Sequence, residues 1–259
     1  MKIPIFCFLI LSLVLLFLLG PFLILFLASF NDASLLQFPP RGFTLSWFRK
    51  IFEIQMFIDA LKTSLFVGLA STFTGLLFGV PAAYFISRFN FWGKEALRLL
   101  FLSPAIVPGL VLGYALLIFF ARTMRLPLLI LLYFGHVILV FPYTIRITLA
   151  GLTNLDPAID DAARSLGAAP WRVLMRIVLP NIRSSLIAAF ILAFITSFNN
   201  VPVSLFLTGP GVSVLPLQMM AYVEYYFDPT IAALSSLLFL VTLLLVQVTE
   251  RTLALSKYL

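Results

Sequence analysis

Long apolar runs separated by short polar connections organise this chain. A helix needs about 20 apolar residues to cross the hydrocarbon core of a bilayer. Six stretches reach about that length: Ile5 to Phe30, Ile58 to Ile86, Leu99 to Phe120, Leu128 to Leu149, Ser184 to Leu205, and Ile231 to Thr249. They predict six transmembrane helices in an all-α polytopic membrane protein. The second run exceeds what a bilayer needs, so that helix tilts or extends beyond the lipid. The first run is far longer than the roughly 7–15 residue apolar core of a secretion signal. It is read as a retained helix.

Small residues and prolines punctuate these runs. Gly75 and Gly79, then Gly109 and Gly113, are spaced four apart, which brings helix backbones close together. Pro81, Pro104, Pro108, Pro142 and Pro202 interrupt or kink apolar helices. Carbonyls freed at depth are tolerated where protein or a water-filled cavity satisfies them. So many breaks suit a transporter better than a simple anchor.

Composition agrees with the pattern. The chain of 259 residues is 62% hydrophobic and 10% charged, against roughly 45–50% apolar residues in soluble domains. The net charge of +7 is read as cytoplasmic Lys/Arg bias rather than as nucleic-acid binding. With the N-terminus inside, the larger share of the basic residues lies on the cytoplasmic side, and six spans return the C-terminus there as well. The single cysteine, Cys7, and single histidine, His136, lie in apolar runs. There is no disulfide framework, no metal-ligand cluster and no nucleophile–base constellation. His136 is read as a structural hydrogen-bonding group, with titration during transport as the alternative.

One segment departs from the rest. "LDPAIDDAARSLGAAPWRVLMRIVLP", from Leu155 to Pro180, carries six charges and lies between the fourth and fifth spans. Asp156 suits a helix N-cap and Pro157 the first helical position. Asp160 and Asp161 then lie near the positive end of the helix dipole, and Asp160 is spaced to pair with Arg164. Gly167 fits the left-handed position that ends a helix. A second helix starts near Pro170, and Pro180 ends or bends it. Connections of about 4–6 residues are usual, and this one is far longer. An Asp-Ala-Ala face, a glycine turn and an aromatic-apolar second helix suit docking to another protein.

The same residues resemble a known signature. In the membrane subunits of binding-protein-dependent ABC importers it runs Glu-Ala-Ala, three residues, Gly, nine residues, Ile, one residue, Leu-Pro. Here it reads Asp161-Ala162-Ala163, Gly167, Ile177, Leu179 and Pro180, with aspartate in place of glutamate. "GFTLSWF", "SPAIVPG", "SFNNVPVSLFLTGPG" and "VLPLQMMAYV" are similar to the spermidine/putrescine branch of these permeases. The resemblance implies a type I ABC importer permease fold, in which the signature forms coupling helices seated on a cytoplasmic ATPase. It implies residues 1–56 as a first helix with a periplasmic segment and 57–250 as the core permease. The coupling loop would lie at about 150–183, and 251–259 would be a cytoplasmic tail.

The implied partners are a second homologous permease, two ATPase subunits, and a periplasmic or lipid-tethered solute-binding protein, in a bacterial inner membrane. No phosphate-binding loop is present in this sequence, so no cofactor is expected on this chain, and ATP and Mg belong to the partner ATPase. The implied function is import of a small polar solute, a polyamine or related amino compound. Polyamine permeases of this branch carry paired aspartates where this chain has Asn199-Asn200. Amino-acid derivatives, opine-like compounds and aminophosphonates are the alternatives. Candidate path residues are Ser197, Asn199, Asn200 and Thr208, with Glu224 and Tyr225 at the outer mouth. For the asparagines the competing reading is hydrogen bonding between helices; for Ser197 and Thr208 it is bonding to their own helix backbone. A stand-alone secondary transporter would explain the broken helices but not the signature spacing, and a membrane assembly protein is a further alternative.

Overall fold

The computed structural model describes residues Ile5–Leu253. Lys2, Lys257 and most of the expected tail at 251–259 lie outside the described residues. The chain forms two compact units, one built from residues 1–58 and 218–259, the other from 59–217.

In the first unit, α1 (Ile5–Ala28) is apolar on every side and buries only Ala28, as suits a helix facing lipid or another membrane helix. Cys7 is exposed on it. It packs on α13 (Thr230–Leu253), where Phe22 and Phe239 stack at 5.1 Å. The segment after α1 is pinned by Asn31. Its carboxamide oxygen accepts the Arg41 N–H at 3.0 Å, and its carbonyl accepts the Trp47 indole N–H at 2.7 Å. That segment leads into α2 (Ser46–Glu53), an amphipathic helix that also packs on α13.

The second unit holds most of α3 (Gln55–Arg88, 34 residues), followed by α4 (Lys94–Leu102), α5 (Gly109–Ile118) and α6 (Leu128–Thr153). Then come α7 (Ala158–Ser165), α8 (Pro170–Val173), α9 (Leu179–Asn181), α10 (Arg183–Phe198), α11 (Ser204–Leu207) and the start of α12 (Leu215–Tyr225). Helix α6 is the centre of this unit and packs most extensively on α10. Glycines make its contacts close. A Cβ at Gly75 would meet Val140 at 3.0 Å, one at Gly79 would overlap the Thr144 hydroxyl, and one at Gly151 would meet Ser185 at 2.5 Å. The four-residue glycine spacing thus serves packing within this chain. Gly109 and Gly113 do the same against Pro202 and Val203.

All six apolar stretches are helical, but two expected spans differ. The third is not one continuous helix from Leu99 to Phe120. It runs through a 3-10 turn at Ser103–Ala105, breaks at residues 106–108, and resumes at Gly109 bent by 99°. Pro104 and Pro108 cause this, since neither offers an N–H to continue the ladder. The fifth stops at Phe198 rather than Leu205. Pro202 cannot continue the ladder, and the Asn200 side chain takes the Val203 N–H at 2.9 Å to start α11. In contrast, Pro81 and Pro142 are held inside unbroken α3 and α6.

Candidate functional site

The polar loop builds itself from local rules. The Asp156 carboxylate accepts the Ala158 N–H at 2.9 Å, which caps the start of α7. At the other end Gly167 takes φ +84°, its N–H bonds the Arg164 carbonyl at 2.9 Å, and the Ala168 N–H bonds the Ala163 carbonyl at 3.1 Å. This is a Schellman turn, which satisfies carbonyls a helix end would leave open. Pro170 then opens α8 at a first-turn position. The helix runs through a π turn at Leu174–Val178 into α9 and stops at Asn181, one residue past Pro180, where the chain bends by 81° into α10.

The loop has two faces. Asp161, Ala162, Gly167 and Pro180 are exposed, together with Leu166, Trp171 and Met175. Ala163 is buried, and Ile177 and Leu179 are partly buried. Ala163, Val173, Val178 and Ile182 join Tyr84, Ile145 and Leu152 in one apolar cluster, with Ile177 packed against it. The signature residues therefore divide: some seat the loop on α3 and α6, and others stay open. Leu166, Trp171 and Met175 leave exposed apolar surface on the loop.

Asp160 does not pair with Arg164 as the four-residue spacing predicts. Its carboxylate accepts Arg88 Nε at 3.0 Å instead, and both side chains are almost fully enclosed. Arg164 turns to the Tyr84 hydroxyl at 3.3 Å and lies over the Phe89 ring at 5.0 Å. A long-range partner in a buried setting outweighs a solvated helix pair, worth roughly 0.2–0.5 kcal/mol.

The path candidates separate as well. Ser197 is buried and lies 2.7 Å from His136 Nδ1 and 3.2 Å from the Ser71 hydroxyl. His136 Nε2 lies 3.0 Å from the Ser204 hydroxyl. This network ties α3, α6, α10 and α11 together and gives His136 the structural place expected of it. It was not legible as a set, because its members come from four separate segments. Thr208 donates to the Ser204 carbonyl at 2.9 Å, a bond within its own turn. The Asn200 side chain is occupied by the Val203 N–H, whereas Asn199 is exposed.

Glu224 and Tyr225 are exposed on α12. Their neighbours form a group that the linear pattern did not reveal. Asp228 accepts Lys50 Nζ at 2.5 Å, the Tyr222 hydroxyl at 3.0 Å and the Thr230 N–H at 3.1 Å. The bond to Asp228 raises Lys50 above its ordinary pKa, against burial. Burial pushes the Asp228 carboxyl up, but bonds from Lys50, Thr230 and Tyr222 outweigh it and hold the group below its usual value. Burial raises the Tyr222 phenol. Asp59 and Lys62 form an exposed pair near the start of α3, at 3.5 Å.

Comparison with known proteins bears on this arrangement. Residues 75–254 match the family described as binding-protein-dependent transport system inner membrane component. The chain is 28% identical over 229 residues to the putrescine transport system permease protein PotI of Escherichia coli, covering 86% of this chain and 81% of that one. It is 29% identical over 227 residues to the spermidine/putrescine transport system permease protein PotC of the same organism, covering 87% and 85%. The fold is similar to a bacterial ABC transporter involved in import of the acidic polysaccharide alginate, with TM-score 0.72, 17% identity and 95% of each chain covered.

Proposed function

The chain belongs to the family of inner-membrane components of binding-protein-dependent transport systems, and from that premise we propose how it works. It is a transport component rather than an enzyme, with the all-α fold of ABC importer permeases. It forms half of a translocation path, with a second homologous permease forming the rest. Two ATPase subunits hold ATP and Mg and engage the loop from the cytoplasm, where both termini also lie. A solute-binding protein delivers solute from the other side.

The observation that carries this reading is the two-faced loop. Its inner face is fused to α3 and α6 through one apolar cluster, and its outer face leaves Asp161, Ala162, Leu166 and Trp171 open. A rigid element with one face in the bundle and one face free transmits movement from a docked partner. ATP-driven closure of the ATPases would shift the loop, carry the attached helices with it and alternate access to the path.

The solute class is a polyamine or related amino compound, supported by the likeness to PotI and PotC. Of the asparagine pair, Asn199 is exposed and offers hydrogen bonds without charge, whereas the Asn200 side chain is held by the Val203 N–H. Purification of the complex tests the coupling role. If no ATPase accompanies the permease and Gly167→Asp leaves uptake intact, the reading is wrong. Melting of the cognate binding protein with candidate solutes tests the class. Amines should raise its Tm; if anions alone do so, the amino-compound assignment fails.

A further inference from the structure

We propose that the Arg88–Asp160 ion pair is the joint that transmits movement of α7 to α3, an inference that rests on the coupling role above. Arg88 is the last residue of α3. Its Nε donates to the Asp160 carboxylate at 3.0 Å, and its Nη2 donates to the Leu155 carbonyl at 2.9 Å. One planar guanidinium thus holds both the chain entering α7 and the first turn of α7. Two directed bonds from a single rigid group fix position and orientation together.

A second arginine runs in the opposite direction. Arg164 of α7 reaches back to the Tyr84 hydroxyl and over the Phe89 ring. Tyr84 and Arg88 are four apart on α3, as Asp160 and Arg164 are on α7. Residues at that spacing share a face, so the two helices meet along matched faces with an arginine contributed by each.

Beyond the two arginines, the apolar hold on α7 is small. Of its eight residues only Asp160 and Ala163 are buried. A single alanine offers a small apolar area, which permits sliding. A buried charge pair does not, because separation leaves a charge without compensation. Load applied to the open face of α7 therefore reaches α3 through the guanidinium. Arg88 and Asp160 act as positioning residues: they touch neither nucleotide nor solute.

The test uses the complete complex with its ATPase subunits, reconstituted in lipid, with Cys7→Ala and spin labels at Asn90 and Ser165. Both labelled positions are exposed. With the pair intact, one narrow distance population persists between nucleotide-free and vanadate-trapped states. Arg88→Met alone leaves a buried carboxylate and lowers the yield of folded complex. The double change Arg88→Met with Asp160→Val removes both charges and fills the space with apolar groups, a replacement that buried pairs often tolerate. In that variant the complex assembles and ATP hydrolysis stays within about twofold, but the distance population broadens or splits on trapping. An unchanged narrow population in the double variant overturns the proposal, as does a wild-type distance that shifts on trapping. Absence of any ATPase from the purified wild-type complex overturns the coupling role itself.

Discussion

The Thr144 hydroxyl donates to the Gly75 carbonyl at 3.0 Å, and the same oxygen occupies the space that a Cβ on Gly79 would need. The α3–α6 seam therefore has no room for a methyl group. Gly79→Ala should lower stability by about 1–3 kcal/mol, the usual effect of overpacking. Gly20→Ala in α1, where nothing lies within 4 Å of the added carbon, should leave Tm unchanged or slightly higher. Thermal unfolding of the two variants in detergent checks this; equal melting temperatures would contradict the close seam.

Gly167 predicts a different order of substitutions. Its φ is +84° and the space around it is empty, so any penalty comes from backbone conformation alone. Gly167→Ala should weaken the loop by about 1–2 kcal/mol, and Gly167→Asn by less, because asparagine visits the left-handed region more readily. Retention of ATPase on the immobilised permease should follow the order Gly, Asn, Ala. If alanine were tolerated better than asparagine, the turn geometry would not be what limits docking.

The Lys50–Asp228 contact predicts a pH window. Asp228 is held below its ordinary value of 3.8, so its contribution is present above that pH and fades as pH falls through the depressed value. Lys50 is raised above 10.5, so its contribution is present below that pH and fades as pH rises through the raised value. Asp228→Asn should therefore lower Tm between these limits, by an amount corresponding to about 1 kcal/mol for a partly exposed pair. The difference from wild type should shrink toward both extremes and with added salt. A difference that is constant from pH 3 to pH 11 would show that packing, not charge, is responsible.

Ser197 and Asn199 should separate stability from transport. Ser197→Ala removes the hydroxyl between His136 and Ser71 and leaves buried polar atoms unpaired, at about 1–3 kcal/mol. Asn199 is exposed, so Asn199→Ala should leave Tm unchanged. If the asparagine lines the path, putrescine or spermidine uptake into vesicles changes while melting does not. Loss of Tm in Asn199→Ala would assign it to packing instead.

What could be read from the linear chain was whatever short-range physics controls. Asp156, Pro157 and Gly167 act within a few residues of themselves, so both ends of α7 were placed correctly. The spacing of Asp161, Ala162, Ala163 and Gly167 carried the likeness to the family. The Asp160 partner is not legible locally, because Arg88 lies 72 residues away and no local rule distinguishes it from Arg164. The serine–histidine network escaped for the same reason. Pro104 and Pro108 announced a break in the third span, but its 99° bend depends on where α5 packs against Pro202 and Val203.

Helix α3 has 34 residues. At 1.5 Å per residue that is about 51 Å of rod, against a hydrocarbon core of about 30 Å. Roughly 20 Å of it must stand clear of the lipid unless it leans steeply. Arg88 is at its tip, so the chain carries a lever whose handle is longer than a mere spanning segment requires. Turning about its far end at Gln55, a tilt of about 10° swings that tip through roughly 9 Å, while points near the pivot scarcely move. Small rotations within the membrane and large strokes at the loop are then the same motion at two radii.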